Sequence, residues 1–124
     1  MSKGLRISEA ELQLLQLLWE ESPLGATDIA SRVPASREWT LATVKTLLSR
    51  LLAKGAVTAT SEGRRFSYRP AVERETIAAG QADRLVDRLF GGRVSPLVAQ
   101  LAEQREIDPD DLAELEALVR ALRK

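Results

Sequence analysis

Apolar positions in the first half of the chain recur at helical spacing and then switch to alternation. Leu12, Leu14, Leu15, Leu17, Leu18 and Trp19 follow Ser8-Glu9-Ala10-Glu11 and cover a wide arc. That tetrapeptide predicts a capping box, in which the Ser8 hydroxyl accepts from the backbone three residues on and Glu11 reaches back. A first helix is expected to about Glu21, buried on more than one side, with Trp19 in the core. Ser22-Pro23-Leu24-Gly25 ends it. A short second helix fits Ala26 to about Val33, with Ile29, Ala30 and Val33 inward and Thr27, Asp28 and Arg32 outward. Pro34 stops it, because the residue before a proline is pushed out of the helical region. Ala35 to Trp39 reads as a connecting loop.

Thr40 then caps a third helix. Val44, Leu47, Leu48, Leu51 and Leu52 fall at i, i+3, i+4, i+7 and i+8, which is one face. Lys54-Gly55 predicts a basic last turn and a left-handed glycine cap. Residues 56–60 and 65–69 are β-prone and are joined by Ser61-Glu62-Gly63-Arg64, so a hairpin is expected, closed by Pro70. Phe66 and Tyr68 share one strand face and are expected to pack the hairpin on the core. Three helices and a two-stranded hairpin, in this order, predict a winged helix-turn-helix over residues 1–71.

The second half, residues 72–124, reads as three more helices. The first runs from Glu73 to about Phe90, with Ile77, Ala78, Ala82, Leu85, Val86, Leu89 and Phe90 on one side. Gly91-Gly92 breaks it. Ser95-Pro96 starts the next, with Leu97, Val98, Leu101 and Ala102 inward. Asp108-Pro109 with Asp111 starts the last: a cap, a proline at the first helical position and an acid in the first turn. Its stripe is Leu112, Leu115, Leu118, Val119 and Leu122, and Arg120, Arg123 and Lys124 suit the negative end of its dipole. The fold class is thus mostly α. A unit this small has a marginal core, so its apolar faces are expected to meet the same unit of a second chain. The candidate dimerisation residues are Leu85, Val86, Leu89 and Phe90 with Leu97, Val98 and Leu101. Leu112, Leu115, Leu118, Val119 and Leu122 complete that set. The alternative is packing back onto the first half.

Composition narrows the chemistry. Apolar residues are 44% of the chain and aromatics 4%, so Leu, Val, Ile and Ala must build the cores. No stretch approaches the roughly 18 to 20 apolar residues that span a bilayer, and MSKGLRISEAE carries no signal-peptide run, so no membrane insertion and a cytoplasmic location are expected. There is no Cys and no His. That excludes disulfides and thiolate metal sites, and it removes the commonest general base and the best thiol nucleophile. Asp110-Asp111 is simpler as helix-dipole chemistry than as a paired acid site. No enzymatic activity, cofactor or metal is expected.

Zero net charge hides an asymmetry, since residues 37–71 hold seven Lys/Arg against two Asp/Glu. The outer face of the third helix presents Ala42, Lys45, Thr46, Ser49 and Ala53, with Thr43, Arg50 and Lys54 at its margins, and no acid occurs between Trp39 and Thr60. An ordinary exposed helix would favour Glu. A helix in the major groove needs small side chains for close approach, hydroxyls for hydrogen bonds, methyl groups for thymine and cations for phosphate or guanine. The candidate DNA contacts are Trp39, Thr40, Ala42, Thr43, Lys45, Thr46, Ser49 and Arg50, joined by Arg64 and Arg65 from the hairpin. The Trp39 N–H could donate to a phosphate, or its ring could seal the junction between the second and third helices. The two arginines could grip the backbone or line a solvated turn. The small-residue face could instead pack on another protein, which would make the chain a winged-helix protein-interaction module without DNA binding.

The order ISEAE-x-x-x-L-x-x-LW, W-T-x-x-T-V-K-T-L-L-S-R-L-x-x-K-G at 39–55, F-x-Y-x-P at 66–70, L-F-G-G at 89–92, P-L-V at 96–98 and a final L-x-E-L-x-x-L closely resembles the penicillinase-repressor (BlaI/MecI/CopY) family. The resemblance covers nearly the whole chain and is most specific at 39–55. It implies a homodimeric winged-helix repressor on a palindromic TACA/TGTA-like promoter operator, controlling β-lactam resistance or a related stress response. By carry-over, Thr43, Lys45 and Thr46 match recognition-helix positions and Trp39 the tryptophan before them. Ala42 stands where relatives often carry lysine. Copper-responsive members end in a cysteine cluster, which this chain lacks. In β-lactam-responsive members a membrane-sensor-linked protease cuts an Asn-Phe bond in the C-terminal domain. The corresponding stretch here is Ala99-Gln100-Leu101, so Gln100 and Leu101 mark the candidate cleavage region.

Overall fold

The computed structural model describes residues 5–124; the first four residues of the signal-sequence reading lie outside them. Six helices and three short strands follow one another as α1 (Glu9–Glu20), β1 (Leu24–Gly25), α2 (Ala26–Arg32), α3 (Leu41–Lys54), β2 (Val57–Glu62), β3 (Arg65–Pro70), α4 (Arg74–Phe90), α5 (Val94–Gln104) and α6 (Pro109–Leu122). Contacts divide the chain into two compact units, residues 1–81 and 82–124, so the first turns of α4 belong to the first unit.

The capping box forms as the spacing requires. Ser8 Oγ accepts from Glu11 N at 3.1 Å, and Glu11 Oε1 accepts from Ser8 N at 2.9 Å. Leu14, Leu15 and Leu18 of α1, Ile29 of α2 and Val44, Leu47, Leu48 and Leu51 of α3 then close one apolar core with Leu24, Ala56, Val57 and Ile77. Leu52, expected on the core face of α3, lies at its rim and is 39% exposed. Trp19 is half-buried against this core. Its indole N–H donates to Val72 O at 2.9 Å, and the Arg74 guanidinium lies 5.3 Å from its ring centroid. With Gln81 Nε2 donating to Ile7 O at 3.3 Å, these contacts fix the start of α4 on α1.

The expected two-stranded hairpin forms, but its sheet has a third strand. The order is β1-β3-β2, all antiparallel, with Leu24 opposite Tyr68 and Gly25 opposite Ser67. Two residues are too few to display alternation, and their partner lies far along the chain, so nothing local announces β1. The hairpin turn is Gly63-Arg64, with positive φ at Gly63 (66°) and not at Arg64, the type II′ pattern that matches strand twist.

Phe66 corrects the sequence reading. It was expected beside Tyr68 on the core, yet it is 54% exposed while Tyr68 is half-buried. The hairpin is longer than the core is deep. Val57 is buried where β2 leaves α3, and every later residue of β2 is exposed. Phe66 pairs with Ser61, one pair from the turn, and lines an open groove instead of the core.

The second unit holds the rest of α4 with α5 and α6. Gly91 and Gly92 both take positive φ (59° and 80°) between α4 and α5, where a side chain would be strained. Asp108 occupies the N-cap position of α6 with Pro109 following, but its side chain makes no capping hydrogen bond.

Candidate nucleic-acid interface

The segment before α3 is held from below. Ala35–Arg37 makes one 3-10 turn, and Glu38 adopts a left-handed conformation (φ 56°), which reverses the chain into Trp39. Arg37 fastens this turn to α1 through Gln13 Oε1 (3.2 Å) and Glu9 (3.8 Å), and it stacks 4.9 Å from the Trp39 ring centroid. Trp39 is half-buried and packs against the core.

Thr40 caps α3. Its Oγ1 accepts from Thr43 N at 3.1 Å and lies 3.2 Å from Thr43 Oγ1. Thr46 Oγ1 donates to Ala42 O at 3.0 Å. Donating to the backbone leaves Thr46 Oγ1 its acceptor lone pairs, and Thr40 and Thr46 are both exposed. Ala42, Lys45, Thr46, Ser49 and Arg50 are all exposed, and Thr43 is half-buried. The helix ends at Gly55 (φ 76°), whose N–H reaches Leu52 O while Ala56 N reaches Leu51 O.

The hairpin completes the surface. A groove of about 310 Å³ is lined by Gly25, Ala26, Thr27 and Asp28 at the start of α2, by Lys45 of α3, and by Arg64, Arg65, Phe66 and Tyr68 of the hairpin. Three cations from two elements therefore share one depression, with Asp28 as the carboxylate on its lining. Sequence reading placed Lys45 and the arginines on separate elements; β1, by pairing with β3, brings them to one groove.

Lys54 departs from that reading. It was expected at the margin of the outer face. Instead its Nζ donates to the Glu11 carboxylate and to Arg6 O. Glu11 is 2% exposed. Burial pushes its carboxyl up, but the Lys54 ammonium and the Ser8 amide and hydroxyl outweigh burial and hold it below the usual carboxylate range. A buried carboxylate needs a cation, and Lys54 is the lysine within reach. The Glu11 signal was present in the capping box; its second partner, 43 residues on, was not.

The candidate pairing residues lie together in the second unit. Leu85, Val86, Phe90, Leu97 and Leu115 are half-buried, and Leu89, Val98, Leu101, Leu112, Leu118, Val119 and Leu122 are exposed. Gln100 and Leu101 sit inside α5, both exposed. Among the described residues no helix is long and apolar enough to cross a membrane.

A family model described as penicillinase repressor matches residues 7–121. The penicillinase repressor of Bacillus licheniformis is 26% identical over 115 residues, which are 93% of this chain and 90% of that protein. The methicillin resistance regulatory protein MecI of Mammaliicoccus sciuri is 25% identical over 114 residues, 92% of this chain and 93% of its own. Among solved structures, the monomeric form of Bacillus licheniformis BlaI in complex with the blaP half-operator aligns with a TM-score of 0.50 and 31% identity. That alignment covers 57% of this chain and 87% of the other. The chain belongs to the penicillinase repressor family, which is one of transcriptional repressors and not of enzymes.

Proposed function

We propose that this protein is a cytoplasmic transcriptional repressor that binds a dyad operator as a homodimer and blocks the promoter it occupies. The single observation behind this reading is the shared groove. Lys45 on the acid-free face of α3 and Arg64 and Arg65 at the hairpin tip line one depression of about 310 Å³. A recognition helix in the major groove with a wing on the adjacent backbone uses such a surface. BlaI, solved in complex with its half-operator, supports DNA as the partner of this surface. In this proposal residues 1–71 bind DNA and residues 72–124 pair the chains. Trp39 and Thr40 set the start of α3, Ala42, Thr43, Lys45, Thr46 and Ser49 meet base edges, and Arg50, Arg64 and Arg65 meet phosphates. A two-fold dimer matches half-sites about one helical turn apart. The operator is a TACA/TGTA-like dyad, and the regulated trait is β-lactam resistance or a related stress response. Release by a sensor-linked protease at Gln100-Leu101 requires α5 to unwind first, because the bond lies within a helix.

A shift assay decides the matter. The protein is expected to retain a TACA/TGTA dyad duplex against scrambled competitor, with affinity falling steeply as salt rises. No preference for any duplex, even in dilute buffer, overturns the proposal and leaves a protein-interaction module.

A further inference from the structure

Phe66 has no role in the core and none in the charge pattern. The chain contains two Trp, one Tyr and two Phe. Four of these are half-buried; Phe66 alone is exposed, at 54%. A single exposed apolar residue is ordinary on a protein surface. This one lines the same groove as Lys45, Arg64 and Arg65. The neighbouring strand residue is Gly25, where a Cβ would come 3.4 Å from Phe66 O. Gly25 lines the same groove, and its missing side chain lets the two backbones lie close there. Asp28, at the start of α2, repels phosphate from that side and leaves it to Arg64 and Arg65.

A DNA strand offers two surfaces to such a groove: charged phosphates and the apolar edges of its sugars. The cations account for the first. We propose that Phe66 takes the second, its ring packing on deoxyribose of the strand whose phosphates face Arg64 and Arg65. This rests on the DNA-binding reading above. Burying the ring against sugar is favourable through the apolar area removed from water, and it releases no counterions. The contact therefore adds affinity without sequence preference and without salt dependence, unlike every arginine and lysine beside it.

Fluorescence anisotropy with the full chain tests this. The probes are a duplex selected from a random pool by the wild-type protein and a scrambled duplex of the same composition, each titrated at several salt concentrations. Phe66→Ala is expected to weaken both by about tenfold, with the slope of log K against log salt unchanged. Phe66→Leu is expected to keep most of the affinity. Arg64→Ala is expected to reduce the slope by about one. Circular dichroism melts confirm that each variant is folded, and Phe66→Gln replaces Phe66→Ala if the alanine loosens the hairpin. Wild-type affinity in a folded Phe66 variant overturns the assignment. So does a loss accompanied by a reduced slope, which would mean that the ring merely props the arginines. A loss confined to the selected duplex overturns the sugar contact in favour of a base. Failure of the wild-type protein to bind any duplex sinks the DNA reading itself, and with it this contact.

Discussion

The two units carry similar amphipathic patterns, yet they are packed very differently. Among the described residues, every buried apolar side chain belongs to the first unit, Ile77 being the last in sequence. The second unit has helices with long Leu/Val stripes and no buried residue at all; Leu118 is 54% exposed. The first unit fastens three helices and a sheet around one centre and neutralises its buried carboxylate internally. The second is about 40 residues long, close to the size below which a single chain rarely makes an adequate core. A stripe at helical spacing thus predicts a helix and its greasy side, but says nothing of whether one chain can supply the covering. The proposed pairing of two chains answers the need that the exposed stripe creates.

Changes that strike each unit separately put that contrast to the test. The largest effect is expected from Leu48→Ala, which opens a cavity in the closed core. It should lower unfolding free energy by about 3–4 kcal/mol, read from urea denaturation. Leu118→Ala should cost the isolated chain under about 1 kcal/mol, while Leu118→Asp should shift sedimentation from dimer to monomer. Equal costs for Leu48→Ala and Leu118→Ala in dilute monomer would erase the distinction between the units.

Next comes the ion pair that closes the first unit. Lys54→Met strands the buried Glu11 carboxylate and should cost about 3 kcal/mol of stability, with operator affinity of the folded protein kept. A large loss of DNA binding at unchanged stability would return Lys54 to the groove face. For comparison, Lys45→Ala should leave stability alone and weaken operator binding by about 1–3 kcal/mol, more on the operator than on random duplex if the lysine reads a base.

The smallest effect is one of pH. Glu11 is held below the usual carboxylate range in the folded chain, so folding favours its ionised form. Its contribution is complete above the unfolded carboxyl pKa of about 4.3 and disappears as pH falls through the lowered folded value. Urea midpoints measured from neutral pH downward should therefore fall more for the wild type than for Glu11→Gln. Parallel curves would mean that the pair contributes nothing.

Much of this was legible in the residues themselves. The Ser8–Glu11 box, the Thr40 cap, the Gly55 terminus and the i, i+3, i+4 spacing of α3 act within a turn or two, so local sequence carries them. The acid-free outer face of α3 was legible for the same reason, because a helix fixes which side chains share a side. Lys54 was misread because its side chain reaches a carboxylate near the start of the chain, 43 residues away in sequence. Phe66 was misread because period-two alternation names a strand face without saying how far the core extends beneath it.

The sequence by itself determined the helices, their caps, the hairpin and the chemical character of each face, since all of these follow from backbone preference and neighbours a few residues away. The tertiary structure alone decided that Leu24–Gly25 is a strand, that Lys54 neutralises Glu11, and that Lys45 and the hairpin arginines share a groove with an exposed Phe66. Each of those depends on residues tens of positions apart meeting in space, and a linear pattern has no term for that distance.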